Sequence, residues 1–183
     1  MIKKQQIFLA LAMTIGGSQQ ALAGCLPETI YFTRHAEKLH ESGNRDPDLS
    51  DKGHQRAKRL ADLLKDKPVN ALFATPYKRT QQTLTPLSEQ SKLAITQYDP
   101  RDEKGFVEKI KQDYCDKTLV VAGHSNTVPS LLQAFGVKFE VTVGGHKFAY
   151  QASVILSEKE FGQLFAVSFD NQQAKLEVLS TNG

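Results

Sequence analysis

A single α/β domain, with a mostly parallel sheet covered by helices on both faces, is what this sequence predicts from three observations. Short apolar runs at residues 29–33, 69–74 and 117–122 are each followed by a turn or loop and then a helical pattern, the alternation that builds a parallel sheet. The C-terminal part instead offers successive strand patterns at 154–156, 164–169 and 175–179, an antiparallel meander that would close one edge. Length and composition agree with one domain: 183 residues, of which 40% are hydrophobic and 23% charged, exclude a disordered tail, a collagen-like repeat and a polytopic membrane protein. With only two cysteines, Cys25 and Cys115, neither a disulfide-dense scaffold nor a four-cysteine zinc site can form.

Residues 1–23 read as a secretory signal peptide. Lys3 and Lys4 precede an apolar run over 7–15, and Ala21-Leu22-Ala23 offers a cleavage site. The run is too short to span a bilayer core of about 30 Å, so no transmembrane segment is expected. The folded domain would then cover residues 25–183, in the periplasm or outside the cell. Leu22-Ala23-Gly24-Cys25 also fits a lipobox, in which Cys25 becomes the lipidated first residue of an anchored lipoprotein. A disulfide competes for the same sulfur. Cys25 lies ten residues before His35 and Cys115 nine before His124, each just upstream of an apolar strand. If those strands are parallel neighbours, the two thiols come within bonding range in an oxidising compartment. The formal charge of +3 hints at nucleic acid, but Lys3 and Lys4 supply most of the excess, and no nucleic-acid partner is expected.

After Gly53, Ala57, Leu60, Ala61 and Leu64 recur at helical spacing with Lys and Arg between them, one buried stripe and one solvated face. Pro76 suits the first turn of a second helix, where its missing N–H costs nothing. A short strand over 93–98 and helices over 103–114 and 127–135 follow, and Gly144-Gly145 reads as a turn.

Ligands of such sheets bind beyond the carboxyl ends of the strands, and two predicted strands end there in histidine. Residues 29–33 run into Arg34-His35-Ala36-Glu37-Lys38, and 117–122 run into Gly123-His124-Ser125-Asn126-Thr127. A third basic element, Thr75-Pro76-Tyr77-Lys78-Arg79-Thr80-Gln81-Gln82-Thr83, puts Arg79 in the first turns of a helix, where free backbone N–H groups favour anions.

With Asp46-Pro47-Asp48-Leu49-Ser50-Asp51-Lys52-Gly53, these stretches resemble the motifs of the histidine phosphatase superfamily, in their order and over about 95 residues. The resemblance implies a phosphoglycerate mutase-like fold and phosphoryl transfer without metal or nucleotide cofactor on a small phosphorylated substrate. Arg34 and Arg79 would hold the phosphate as planar forks. His35 would attack phosphorus through a neutral ring nitrogen, forming a phosphohistidine that water hydrolyses. His124, if cationic, would neutralise the equatorial oxygens, helped by donors at Ser125 and Asn126.

A carboxyl group should protonate the leaving oxygen. In the family this acid either follows the second histidine directly, which Ser125 excludes, or lies in the zone of Asp99, Asp102 and Glu103. Glu103 and Asp102 rank first, although capping the next helix would explain both equally well. Glu37 is a further candidate pocket carboxylate. Ala36 stands where many members carry Gly. His40, His54 and His146 lack ligand spacing and read as surface residues, leaving no metal site.

The expected activity is that of an exported phosphomonoesterase. Phosphoglycerate mutase-type transfer is disfavoured by export and by the little chain left to build a lid. A non-catalytic phosphate-binding module would have no use for a nucleophile.

Overall fold

The structure, a computed structural model, describes residues 25–143, 146–150, 153–157 and 159–182; the predicted signal peptide and the Gly144-Gly145 turn lie outside them. In chain order the elements are β1 (Thr29–Arg34), α1 (Asp51–Leu64), β2 (Val69–Ala74), α2 (Lys78–Ser91), β3 (Ile95–Gln97), α3 (Glu103–Asp113), β4 (Thr118–Gly123), α4 (Thr127–Ala134), β5 (Phe139–Val143), β6 (His146–Tyr150), β7 (Gln163–Asp170) and β8 (Gln173–Ser180). The main sheet runs β3-β2-β4-β1-β7-β8. Its first four strands are parallel, and β7 and β8 continue it antiparallel.

Side-chain alternation along the strands decides what each face buries. Ile30, Phe32, Leu119 and Val121 pack with Phe106 and Ile110 of α3 and Leu131 and Leu132 of α4. Tyr31, Val120 and Ala122 face the other way, against Leu60 and Leu64 of α1 and Leu84 and Leu87 of α2. The sheet is thus covered on both faces, and the predicted α/β class holds.

Local chemistry sets the start of α1. The Ser50 hydroxyl accepts from the Gly53 N–H at 3.2 Å, an ordinary N-cap. Gly53 has a steric reason as well: a Cβ there would run into the Glu37 carbonyl, so glycine lets the loop after β1 lie directly on the helix.

Three local readings need correction. Pro76 precedes the Tyr77 N-cap of α2 instead of sitting in the first turn, so its fixed φ shapes the approach to the helix. Residues 154–156 form no strand; Leu156 N donates to Ser125 O at 2.9 Å, which draws the backbone to the end of β4 and away from any ladder. The β5–β6 hairpin was not anticipated, although Phe139, Val141 and Val143 alternate as an edge strand should.

Cys25 and Cys115 are bonded, with Cα atoms 5.3 Å apart, at the amino ends of the paired strands β1 and β4. The bond spans 90 residues of sequence, and closing a loop of that length restricts the unfolded chain by about 4.6 kcal/mol in the chain-entropy model. The Cys25→Ser, Cys115→Ser double variant should therefore lose about 2–4 kcal/mol in urea unfolding. A loss under 1 kcal/mol would show that the sheet needs no tie at this end.

Candidate active site

The site is set by register. β1 and β4 pair in parallel with Arg34 opposite Gly123, so the next residue on each strand is a histidine, and His35 N donates to Gly123 O at 2.9 Å. The two rings meet edge-on, 5.6 Å between centroids.

His35 is 4% exposed. Its Nδ1 lies 2.8 Å from Ala36 O, and because a carbonyl only accepts, Nδ1 carries the hydrogen and Nε2 keeps its lone pair. Burial, assisted by repulsion from Arg34, Arg79 and His124 and opposed by the Ala36 carbonyl, lowers its pKa to about 3. At neutral pH the ring is uncharged. Ala36 packs with Leu49 and Ala57, and its N–H donates to Thr83 Oγ1 at 2.9 Å while that hydroxyl donates to Arg79 O at 2.7 Å. One threonine thus joins the loop after His35 to the helix that carries Arg79.

The tautomer of His124 follows from a chain of hydroxyls. Thr80 Oγ1 faces Tyr77 O at 2.7 Å and Thr75 O at 2.9 Å, so its hydrogen is committed to a carbonyl. Thr75 Oγ1, 2.8 Å away, must then donate to Thr80, and its oxygen accepts from His124 Nε2–H at 2.9 Å. Burial first, then the positive charges of Arg79 and Arg34, lower the His124 pKa to about 4. At neutral pH this ring too is uncharged.

Arg34, 3% exposed, donates from Nη1 to Ser157 O at 2.8 Å and lies over the Phe161 ring, 4.3 Å from its centroid. Arg79 stacks on Tyr77 at the same distance, with Asp46 3.6 Å from Nη1. Its Nε is buried without a hydrogen-bond partner, a costly state that a bound anion relieves. A cavity of about 420 Å³ brings Arg34, His35, Arg79 and His124 together with Ser125 and Asn126, and adds Lys38 and Arg101 to its lining.

Among the described residues, no carboxylate lines that cavity. Asp102 accepts from Gly105 N at 3.0 Å as the N-cap of α3, and Glu103 lines an adjoining groove. Asp99 pairs with Arg101 at 3.0 Å. Glu37 is not a pocket carboxylate either: Arg56 grips it from Nε at 2.8 Å and Nη2 at 2.7 Å. Burial alone would raise the Glu37 pKa, but those hydrogen bonds and the Arg56 charge outweigh it and hold it at about 2. Arg56 also reaches Asn182 Oδ1 at 2.8 Å, so this pair fastens the loop after β1 to α1 and to the C-terminal segment. His40, His54 and His146 are exposed, and no cluster of three or more His, Cys, Asp or Glu among the described residues could hold a metal ion. Nor is any helix there long and apolar enough to cross a membrane.

Sequence reasoning missed Arg56, Thr75, Tyr77 and Phe161. Arg56 had a signal, since it stands four residues before Leu60 on the buried stripe of α1. Phe161 had none, because a single aromatic in a loop carries no periodicity.

The family model of the histidine phosphatase superfamily (branch 1) matches residues 30–103. The matched stretch holds Arg34, His35 and Arg79. Solved histidine phosphatase-like structures agree in fold. YhfR of Bacillus stearothermophilus superposes with a TM-score of 0.63 at 15% identity, covering 84% of this chain and 98% of that one. A mycobacterial glucosyl-3-phosphoglycerate phosphatase in complex with inorganic phosphate gives 0.60 at 13% identity over 84% and 98%. The protein histidine phosphatase SixA complexed with tungstate gives 0.60 at 12% identity over 84% and 97%. No curated protein sequence matches the chain significantly.

Both site histidines have folded pKa values below the ordinary 6.5, so from about pH 6.5 down to 4.5 the unfolded chain binds more protons than the folded one. Stability should fall with falling pH across that window, by up to about 1.4 kcal/mol per pH unit for each ring. Loss of the Glu37–Arg56 pair begins only below it, as pH drops from about 4.5 towards 2. Urea unfolding between pH 7 and 4.5 checks this; a His35→Asn variant should show the shallower slope.

Proposed function

We propose that this protein is an exported phosphatase that hydrolyses phosphate monoesters through a phosphohistidine on His35. The observation that carries the reading is an uncharged His35 with its Nε2 lone pair free, buried in one cavity with Arg34 and Arg79, whose Nε lacks a partner. Two guanidinium forks hold the dianion without a metal. His35 Nε2 bonds to phosphorus as the bond to the leaving oxygen breaks; water then attacks phosphorus, the P–N bond breaks, and inorganic phosphate leaves. A bound dianion offsets the Arg34 and Arg79 charges that keep His124 neutral, so His124 gains a proton on Nδ1 and donates to a phosphoryl oxygen, with Ser125 and Asn126 beside it. Glu103 supplies the proton of the leaving oxygen, ahead of Asp102, which is engaged as a cap. Export is supported by the signal-peptide pattern of residues 1–23 and by a disulfide suited to an oxidising compartment.

His35→Ala should fold yet leave no turnover of para-nitrophenyl phosphate, and the wild type should form an acid-labile, alkali-stable phosphoenzyme and keep its rate in a chelator. Binding without turnover in the wild type would overturn the reading in favour of a phosphate-binding module. Glu103→Gln should slow hydrolysis of an alkyl phosphate by about 10²-fold while sparing the aryl ester, whose leaving group needs little protonation. Equal losses on both esters would remove Glu103 from that role.

A further inference from the structure

A second cavity, of about 380 Å³, opens off the first and shares Pro100, Asn126 and Thr127 with it. A group attached to a phosphate held by Arg34 and Arg79 can continue straight into it. Its walls are the first turn of α3, with Glu103, one side of α4, with Ser130 and Gln133, and the segment Ser153, Val154 and Ile155. That segment is tied to the phosphate end of the site, since Leu156 N donates to Ser125 O and Arg34 Nη1 to Ser157 O.

Two features mark the groove as built for a ligand. Asn126, Ser130 and Gln133 follow at helical spacing and form one polar stripe of α4, opposite the buried Val128, Leu131 and Leu132. Among the described residues, the side chains of Glu103, Asn126, Ser130, Gln133 and Ser153 make no hydrogen bond within the protein. The glutamines along α2 behave differently: Gln81, Gln82 and Gln90 are all bonded internally. Ile155, beside these unengaged groups, is 67% exposed, more than any other large hydrophobic residue among those described.

The same lining narrows the ligand. Among the described residues, no aromatic ring lies in the groove to stack a nucleobase, and no Lys or Arg to receive a second phosphate or carboxylate. A carboxylate, two amides and several hydroxyls beside an aliphatic wall suit a ring of alternating hydroxyls with an apolar C–H face. We propose that this groove is the leaving-group subsite and takes an uncharged polyhydroxylated moiety, so that the substrates are sugar or polyol phosphates; this rests on phosphate occupying the Arg34–Arg79 cavity.

Binding can be read without turnover. Calorimetry on the His35→Ala protein should show glucose 6-phosphate binding at least tenfold tighter than inorganic phosphate and tighter than uridine monophosphate. Adding Ser130→Ala and Gln133→Ala should remove most of that gain while leaving phosphate affinity unchanged, which also controls for folding. In the wild-type background the same pair should raise KM for glucose 6-phosphate about tenfold, with para-nitrophenyl phosphate kinetics unaltered. Equal affinity for sugar phosphate and phosphate, tighter binding of the nucleotide, or a sugar gain that survives the double variant would each overturn the subsite, whether or not His35 proves to be the nucleophile. Absence of phosphate binding altogether would overturn both readings.

Discussion

Parallel pairing of β1 with β4, with Arg34 opposite Gly123, is the constraint on which the site depends. Register is a discrete property of a sheet, and a slip of one residue turns every side chain to the other face. Here a slip would bury the wrong half of Ile30-Tyr31-Phe32 and carry His35 away from His124. The two hydrophobic layers therefore hold the register, and the register sets the spacing of the imidazoles. The disulfide lies at the amino ends of the same two strands, so one pairing is fastened covalently at one end and used chemically at the other.

Arg56 and Arg79 differ in their partners. Arg56 meets Glu37 with two short hydrogen bonds and has further acceptors in Thr181 and Asn182; it is matched, and serves to join three segments. Arg79 is nearly as well covered, but its contacts are the face of Tyr77, a long approach to Asp46 and a long hydrogen bond from Nη1 to Arg45 O, and its buried Nε is unmatched. Unmatched positive charge then acts on the neighbouring rings, since Arg34 and Arg79 both help to keep His35 and His124 uncharged. For His35 that is the state a nucleophile needs. Cation placement and nucleophile readiness are in this sense one electrostatic arrangement.

The fold was legible where burial imposes a period. β1, β2, β4 and the stripe of α1 were read within a residue or two, because each must present apolar side chains at fixed intervals. That Arg34, His35, Arg79 and His124 line one cavity could be foreseen because strand ends and helix starts can be located, and the residues found there are placed by the backbone. Glu37 was misread for the opposite reason. Its neighbour in space, Arg56, lies nineteen residues away, and nothing local distinguishes a carboxylate that faces a pocket from one held by a distant guanidinium. The segment 154–156 failed similarly: a run of three apolar residues has no period, and its backbone was claimed by Ser125.

Burying an unmatched donor costs about 1–3 kcal/mol, and a site that holds cations and neutral imidazoles together draws on stability made elsewhere. In this chain the sources lie around the site but outside the cavity. Ser50 caps α1, Gly53 lets the His35 loop press against that helix, and the Glu37–Arg56 pair closes the same loop onto the C-terminal segment. The loop that presents His35 is thus over-determined by contacts on its far side. Groups facing the cavity need not bond to one another to stay in place. Arg79 Nε, on the cavity side of that arrangement, is buried without a hydrogen-bond partner.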